Sequence, residues 1–371
     1  MKILHYLSGL DPSGAARSGV LLACGLASRG HRCRVVSGRD GPLAWDLRQA
    51  GVELLIVAPP RHWFDLPRLR SVAEVLAADP PDLVHLNNMC LEGPLIARLA
   101  RRSEMPVAWH VREDPDSRRA RRLRRHLVRY ARRVIAVSRQ ILEGLKDGEK
   151  HAQLVVISNG IDPGPPPDRL AARRQCGLDE EALWVGWLGR LVPRKGALDF
   201  LRAVAQARSE APSARVLLAG RPGTGRADQR YLHELLRFLR GRPDLEARTL
   251  RLEEPEARPR LIEALDILVV PSAWEGCSRV ILEGMRAGCA IVAYASGGTP
   301  ELIEEADSGL LVRPGDVAGL AMALERLAAD RDLARRLGEG ARRRVVSRFT
   351  LQRHLDEVEA IFRQAAAPGA V

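Results

Sequence analysis

Two glutamates and two cations in the second half of the chain are the residues whose types and spacing most readily suggest chemistry. Glu275 and Glu283 are separated by seven residues within VVPSAWEGCSRVILEGMRAGCAIVAYASGGTPE, residues 269–301. A carboxylate accepts several hydrogen bonds at once, so such a pair suits a hydroxyl-rich ligand. Gly276, Cys277 and Ser278 follow Glu275 directly and run into an apolar-periodic segment, Val280, Ile281, Leu282 and Met285. Free N–H groups at a helix start of this kind favour an anion. Upstream, Arg190 and Lys195 stand in Gly189-Arg190-Leu191-Val192-Pro193-Arg194-Lys195-Gly196. Arginine suits bidentate contact with phosphate oxygens, and lysine supplies a compact point charge, a role for which Arg194 competes.

The elements that must position these groups follow from pattern. Ile267 to Val270 is an apolar, β-branched run that reads as a buried strand ending at Pro271. Ser278 is then an N-cap candidate and Gly288 a C′ residue. A second strand, Ala290 to Ala295, feeds Ser296-Gly297-Gly298-Thr299, with Pro300 and Glu301 opening the next helix. Side-by-side strand-to-helix turns at the carboxyl edge of a parallel sheet are where α/β proteins bind nucleotides. A strand at Leu183–Leu188 and a helix at Ala197–Ala207 flank the cationic loop, and Val216–Ala219 leads to Gly220.

Strands and helices also alternate from Lys2 to Ile161, with strands expected near Ile3–Leu7, Arg34–Ser37, Leu54–Val57, Leu83–Leu86, Val107–His110, Val134–Val137 and Val155–Ile157. This alternation predicts a parallel sheet with helices on both faces. The first strand enters Ser8-Gly9-Leu10-Asp11-Pro12-Ser13-Gly14, a loop that opens a helix. It is not a G-x-G-x-x-G fingerprint, and no G-x-x-x-x-G-K-[ST] occurs, so dinucleotide and P-loop chemistry are unsupported. His110 closes a strand in Ala108-Trp109-His110-Val111-Arg112-Glu113, where side chains reach a ligand. Asp114-Pro115-Asp116 has the D-x-D spacing that can hold Mg²⁺ or Mn²⁺, but it leads into an Arg-rich helix and reads as a helix-starting acidic turn.

A length of 371 residues suggests two domains, and 46% apolar residues suffice for two cores. The net charge of +12, carried mainly by arginine, favours acidic partners without choosing among them. Arg118 to Arg133 is the extreme case: Ala120, Leu123, Leu127, Ala131 and Val134 recur at helical spacing, and arginines occupy much of the rest. Two readings stay open for it, a solvated helix face and a surface for anionic lipid headgroups or a phosphorylated acceptor. Nucleic acid is disfavoured, because aromatic residues for base stacking make up only 4% of the chain. The six cysteines (Cys24, Cys33, Cys90, Cys176, Cys277, Cys289) show no metal spacing. With the absence of an exported h-region or an apolar run long enough to span a bilayer, they point to reduced thiols in the cytoplasm.

With these elements placed, the sequence around Glu275 and Glu283 closely resembles the donor-sugar signature of retaining glycosyltransferases of the GT-B fold, family 4. GRLVPRKG is similar to that family's G-R-L…K-G motif, WHVRE to its histidine motif, and Ser158-Asn159-Gly160-Ile161-Asp162 to its element before the inter-domain linker. The resemblance covers nearly the whole chain. It implies an α/β fold of two Rossmann-like, doubly wound parallel-sheet domains facing a central cleft. Residues 1–165 would form the acceptor domain, 166–345 the nucleotide-sugar donor domain, and 346–371 a helix crossing back to the first. It further implies that Glu283 binds ribose hydroxyls, Glu275 holds the donor sugar, and Arg190 and Lys195 hold the pyrophosphate. Gly276, Cys277, Ser278 and the helix start would assist, with Gly220 near the nucleobase and Gly14 and His110 approaching the sugar.

The same resemblance implies retention by front-face displacement, with the leaving phosphate taking the acceptor proton and no cofactor or metal required. The family usually has a Gly where this chain has Glu253-Glu254-Pro255, which leaves UDP-, GDP- and ADP-sugars open. The expected acceptor is a glycan, a lipid-linked saccharide or a small molecule, in cell-envelope or exopolysaccharide synthesis at the inner face of the membrane. Two other classes compete: a GT-B-shaped nucleotide-sugar epimerase or phosphorylase, and a non-catalytic basic protein of the membrane surface.

Overall fold

Runs of Val, Ile and Leu too short for a helix and bounded by turn residues become thirteen strands among the residues described here, which in this computed structural model are 1–59, 65–146, 153–207, 214–253 and 258–367. The chain divides into two compact units, Met1–Gly160 with Leu351–Val371, and Ile161–Thr350. The first and last residues of the second unit pair with each other in a parallel bridge, and Ile161 N–H donates to Phe349 O at 2.9 Å.

The first unit holds β1 (Lys2–Leu7), β2 (Arg32–Ser37), β3 (Glu53–Ile56), β4 (Leu83–Asn87), β5 (Val107–Val111), β6 (Arg133–Ala136) and β7 (Gln153–Val156). They form one parallel sheet in the order β3-β2-β1-β4-β5-β6-β7. The central strands β4 and β5 are buried along their whole length, as a sheet covered on both faces requires. The C-terminal helix Leu351–Ala366 completes this unit, although the whole second unit precedes it in the chain. Its Leu355, Val358, Phe362 and Ala365 share one core with Ile3, Leu7, Val35, Leu83 and Ala108.

The second unit holds β8 (Trp184–Leu188), β9 (Arg215–Ala219), β10 (Thr249–Leu252), β11 (Ile267–Val270), β12 (Ala290–Tyr294) and β13 (Leu310–Val312). These are also all parallel, in the order β10-β9-β8-β11-β12-β13. The two parallel-sheet α/β units bear out the fold class expected from the sequence. Glu254 and Pro255, which left the nucleobase open, lie outside the described residues; Glu253 is exposed after β10.

The arginine-rich segment needs a correction. Its helix spans Arg118–Tyr130, capped by Ser117, whose hydroxyl accepts from Ala120 N–H at 3.1 Å. Ala120, Leu123 and Leu127 are buried as expected. Arg132 and Arg133, however, leave the helix for the sheet. Arg132 Nη1 donates to Ala365 O and Ala367 O at 2.7 and 3.1 Å, capping the C-terminal helix, and Arg133 is buried in β6. Among the described side chains of this helix, the exposed arginines are Arg118, Arg121, Arg122, Arg125 and Arg129.

Candidate active site

In the second unit the chain leaves β8 in two directions, through β9 and β10 on one side and β11 to β13 on the other, so the switch point lies between β8 and β11. The loops at their carboxyl ends carry the residues selected from the sequence. Backbone contacts join these loops. Ala273 N–H donates to Arg194 O at 2.9 Å, Gly298 N–H to Glu275 O at 2.7 Å, and the Ser296 hydroxyl to Ser272 O at 2.7 Å. Trp187, buried in β8, donates its indole N–H to Lys195 O at 3.0 Å. Gly297 has φ +59°, and a Cβ built on it would lie 1.9 Å from Glu275 O. That position therefore needs glycine both for its left-handed backbone and for the close approach. Gly297→Ala is expected to displace the Glu275 loop and lower Tm by several degrees. An unchanged melting curve contradicts this.

The side chains meet as follows. Lys195 Nζ and Glu275 form an ion pair, and Glu275 is only 8% exposed. Burial pulls the Lys195 ammonium below its usual range, against the opposing pull of Glu275, and the Arg194 and Arg190 charges add to the lowering. Arg190 is exposed on the same loop. Glu283, in the helix Arg279–Arg286, lies 3.7 Å from the Arg279 guanidinium. Ser278 takes the N-cap position, and its hydroxyl makes no capping bond. Gly276, Cys277 and Ser278 are buried beside Glu275. Gly220 follows β9, donates to Leu252 O at 2.8 Å, and would place a Cβ 1.8 Å from Gly189 O, so it packs directly under the cationic loop. The structure thus brings Lys195 to Glu275 and sets Arg190, Glu283 and Gly220 around the same strand ends.

In the first unit the switch point lies between β1 and β4. Gly14 opens the helix Gly14–Ser28 just beyond β1, behind Ser13 as N-cap. Asn87, at the end of β4, donates to Ala15 O at 2.9 Å and so fixes this turn. His110 stands at the end of β5 as expected, yet its side chain is fully buried and its Nδ1 meets His85 Nε2 at 2.8 Å. Asp114 Oδ1 accepts from Asp116 N–H at 2.9 Å, the acidic turn expected before the capped helix. Among the described residues no three His, Cys, Asp or Glu side chains converge on a metal position.

Sequence reasoning missed several groups. Arg112, buried two residues past His110, donates to Asn87 Oδ1 at 2.9 Å and to Asn159 Oδ1, which gives the SNGID asparagine a structural task. His5 and His85 lie buried beside His110. Their signal was a single histidine interrupting each of two apolar strands. Arg279 was visible only as a cation one turn before Glu283.

Residues 182–330 match the family model described as glycosyl transferases group 1, and residues 13–160 match the glycosyl transferase 4-like domain. The chain belongs to the group 1 glycosyltransferases. A D-inositol 3-phosphate glycosyltransferase of Stackebrandtia nassauensis is 36% identical over 231 residues, which cover 58% of this chain and 51% of the relative. The corresponding protein of Geodermatophilus obscurus is 33% identical over 272 residues, 70% of this chain and 58% of that one. The aligned part thus spans only about half the length of these curated relatives. The crystal structure of Anabaena HepE in complex with UDP-glucose superposes with a TM-score of 0.85 at 25% identity, covering 98% of this chain and 99% of HepE.

Proposed function

We propose that this glycosyltransferase moves a sugar from a nucleoside-diphosphate sugar to a hydroxyl acceptor with retention of anomeric configuration. The observation that carries the reading is the Lys195–Glu275 pair at the switch point of the second sheet. Each partner holds the other in place of the opposite ends of a diphosphate-linked sugar. An arriving diphosphate takes Lys195 and Arg190, and Glu275 is freed to accept from sugar hydroxyls while Glu283 accepts from the ribose. As the bond from the anomeric carbon to the phosphate oxygen breaks, negative charge grows on that oxygen. Lys195, Arg190 and the amides at Ser278 stabilise it more than they stabilise the intact donor. The acceptor oxygen bonds to the anomeric carbon on the same face, and its proton passes to the departing phosphate. In this scheme cationic side chains carry the leaving-group charge, so transfer needs no divalent metal.

HepE was crystallised with UDP-glucose, which makes UDP the first nucleotide to test. In a thermal-shift panel of UDP, GDP and ADP, one nucleotide is expected to raise Tm by several degrees. A ligand at about 100 times its Kd adds ~2.7 kcal/mol, and each kcal/mol shifts a domain of this size by about 2–4 °C. No shift with any of the three contradicts the donor site.

The acceptor is proposed to be a glycan or lipid-linked saccharide of the cell envelope, reached from the cytoplasmic face. No described helix is long and apolar enough to cross a membrane. A different feature supports surface docking. Arg118, Arg121, Arg122, Arg125 and Arg129 are all exposed, and at helical spacing they fall on one face. The neighbouring helix Gly93–Arg102 adds exposed Arg98, Arg101 and Arg102, and a hollow of about 350 Å³ between the helices is lined by these three with Arg129 and Tyr130. Like charges four residues apart weaken a helix, whereas an anionic bilayer attracts each arginine by about 1 kcal/mol. Wild-type protein is expected to float with phosphatidylserine vesicles and to release in high salt. Arg122→Glu with Arg125→Glu should abolish flotation and leave transfer to a soluble acceptor intact. Flotation of the variant like wild type contradicts docking through this face.

A further inference from the structure

His5, His85 and His110 sit on three adjacent strands of the first sheet, β1, β4 and β5. His5 and His85 are paired in register, and His110 lies opposite Asn87, two residues nearer the carboxyl edge than His85. Alternation along a strand then puts all three side chains on one face. That face is covered by the C-terminal helix, whose Phe362 ring lies 6.4 Å from His5 and 5.1 Å from His85, and whose His354 ring lies 6.2 Å from His110. The imidazoles are joined end to end: His5 Nδ1 to His85 Nδ1 at 2.9 Å, and His85 Nε2 to His110 Nδ1 at 2.8 Å. The outer nitrogens, His5 Nε2 and His110 Nε2, are buried without a hydrogen-bond partner.

All three rings are fully buried, and burial holds each in the neutral form. Three neutral imidazoles share three N–H protons among six nitrogens, and the two internal bonds consume two of those protons. Only two arrangements satisfy both bonds. In the first, His5 Nδ1–H donates to His85, His85 Nε2–H donates to His110, and the third proton stays on His110 Nε2. In the second, both bonds run the other way, and the third proton stays on His5 Nε2. Each arrangement leaves one outer N–H and one bare outer nitrogen without a partner within the fold, and because orphaned buried N–H groups are rare, that N–H calls for an acceptor from outside. The second arrangement puts it in the interior near Phe362, whereas the first puts it near the end of β5, the sheet edge at which α/β proteins meet ligands.

We propose that His5 and His85 are positioning residues that fix His110 as the Nε2–H tautomer, so that His110 presents a hydrogen-bond donor to a ligand oxygen at the carboxyl edge of the first sheet. That the ligand takes part in sugar transfer rests on the function proposed above, but the tautomer does not. His85 supplies the directing proton, and His5 prevents His85 from turning its own proton inward. The sequence disguises this device, since His110 stands out alone, and His5 and His85 are each a single histidine within an apolar strand.

The test is nitrogen-detected NMR on full-length protein with ¹⁵N-labelled histidine, in which N–H and bare ring nitrogens have well-separated shifts. Assignment uses His5→Phe, His85→Gln and His110→Gln. In the free wild type, His110 and His85 are expected to carry their proton on Nε2 and His5 on Nδ1. His5→Phe removes the donor that keeps His85 Nδ1 bare, so the His110 Nε2–H population should fall in favour of Nδ1–H. A wild-type His110 protonated at Nδ1, or a His110 tautomer unchanged in His5→Phe, overturns the proposal. Kinetics supply the second arm. His85→Leu should lower kcat for sugar transfer about tenfold or more, and His85→Gln, whose amide N–H can face His110 Nδ1, should recover most of it. Equal rates for these two variants when both are folded overturn the positioning role, as does a spectrum in which His85→Gln leaves His110 without an Nε2 proton. If no nucleotide sugar supports transfer while the wild-type spectrum shows the expected tautomers, the donor reading fails and the array stands.

Discussion

Lys195→Ala is expected to lower kcat by a factor on the order of 10²–10³, the loss typical of removing one preorganised group that stabilises developing negative charge. Lys195 should matter more for kcat than for KM, because the leaving diphosphate carries more charge in the transition state than in the bound donor. A second effect must be separated from this one. Glu275 is nearly buried, and without Lys195 its carboxylate loses its ion-pair partner. The single variant should therefore melt lower than wild type, and Lys195→Ala with Glu275→Ala should recover part of the Tm without recovering kcat. Such non-additivity is expected of groups in direct contact. Lys195→Arg is not a rescue: a planar fork does not reproduce a compact ammonium between Glu275 and a phosphate. Steady-state kinetics with melting curves on the four proteins check this. A Lys195→Ala enzyme with kcat within a factor of three of wild type removes the lysine from the mechanism.

The second large effect is acid lability of the first unit. Burial pushes the His5 imidazole down to about 3, with the His31 charge adding to it. Burial likewise holds His85 and His110 well below the usual histidine range, with Arg112 among the charges that add to the lowering. In the unfolded chain each titrates near 6.5. Below that pH the unfolded chain takes up protons that the folded array refuses. Stability is thus at its full value above about pH 6.5 and is lost as pH falls toward the folded values. Each histidine contributes about 1.4 kcal/mol per pH unit in that window. For His5 the loss at pH 5 is about 2 kcal/mol, and His85 and His110 add to it, against a total stability of roughly 5–15 kcal/mol.

Glu359 works in a lower window. Its hydrogen bond from Arg363, helped by His31 and Arg29, holds it at about 2, so its contribution persists until pH falls below the ordinary carboxylate range. Urea melts between pH 8 and 5 should show Cm flat above pH 7 and falling steeply below 6.5, and His5→Phe should reduce the slope. A Cm that stays level down to pH 5 means that the rings are not held neutral.

The parts of this molecule that the sequence reveals are those governed by short-range pattern. β11 and β12 were legible because continuous Val and Ile runs end at Pro271 and at Ser296-Gly297-Gly298, whereas the C-terminal helix was expected only from the family resemblance. Glu275, Lys195 and Arg190 could be selected because their loops combine charge with glycine at strand-to-helix turns. Their convergence depends on β8 and β11 being neighbours, a long-range fact that no local pattern contains. The arginine segment went wrong at Arg132 and Arg133 because helical periodicity continues through them while the sheet takes them: Arg132 N–H donates to Val107 O at 2.7 Å. The histidine array was invisible for the same reason. His5, His85 and His110 are far apart in sequence, and only strand register brings their nitrogens together.

Lys195 and Glu275 are assigned opposite ends of one ligand, and calorimetric titration separates those ends. The nucleotide that gives the largest thermal shift is titrated, free and sugar-linked, into wild type, Lys195→Ala and Glu275→Ala. Lys195→Ala should weaken both ligands at least tenfold. Glu275→Ala should bind the free diphosphate as well as wild type or better, since Lys195 is released, but lose the gain in affinity that the sugar provides. If Glu275→Ala keeps that gain, or Lys195→Ala binds the free diphosphate like wild type, the two residues do not divide the donor between them and the account is wrong.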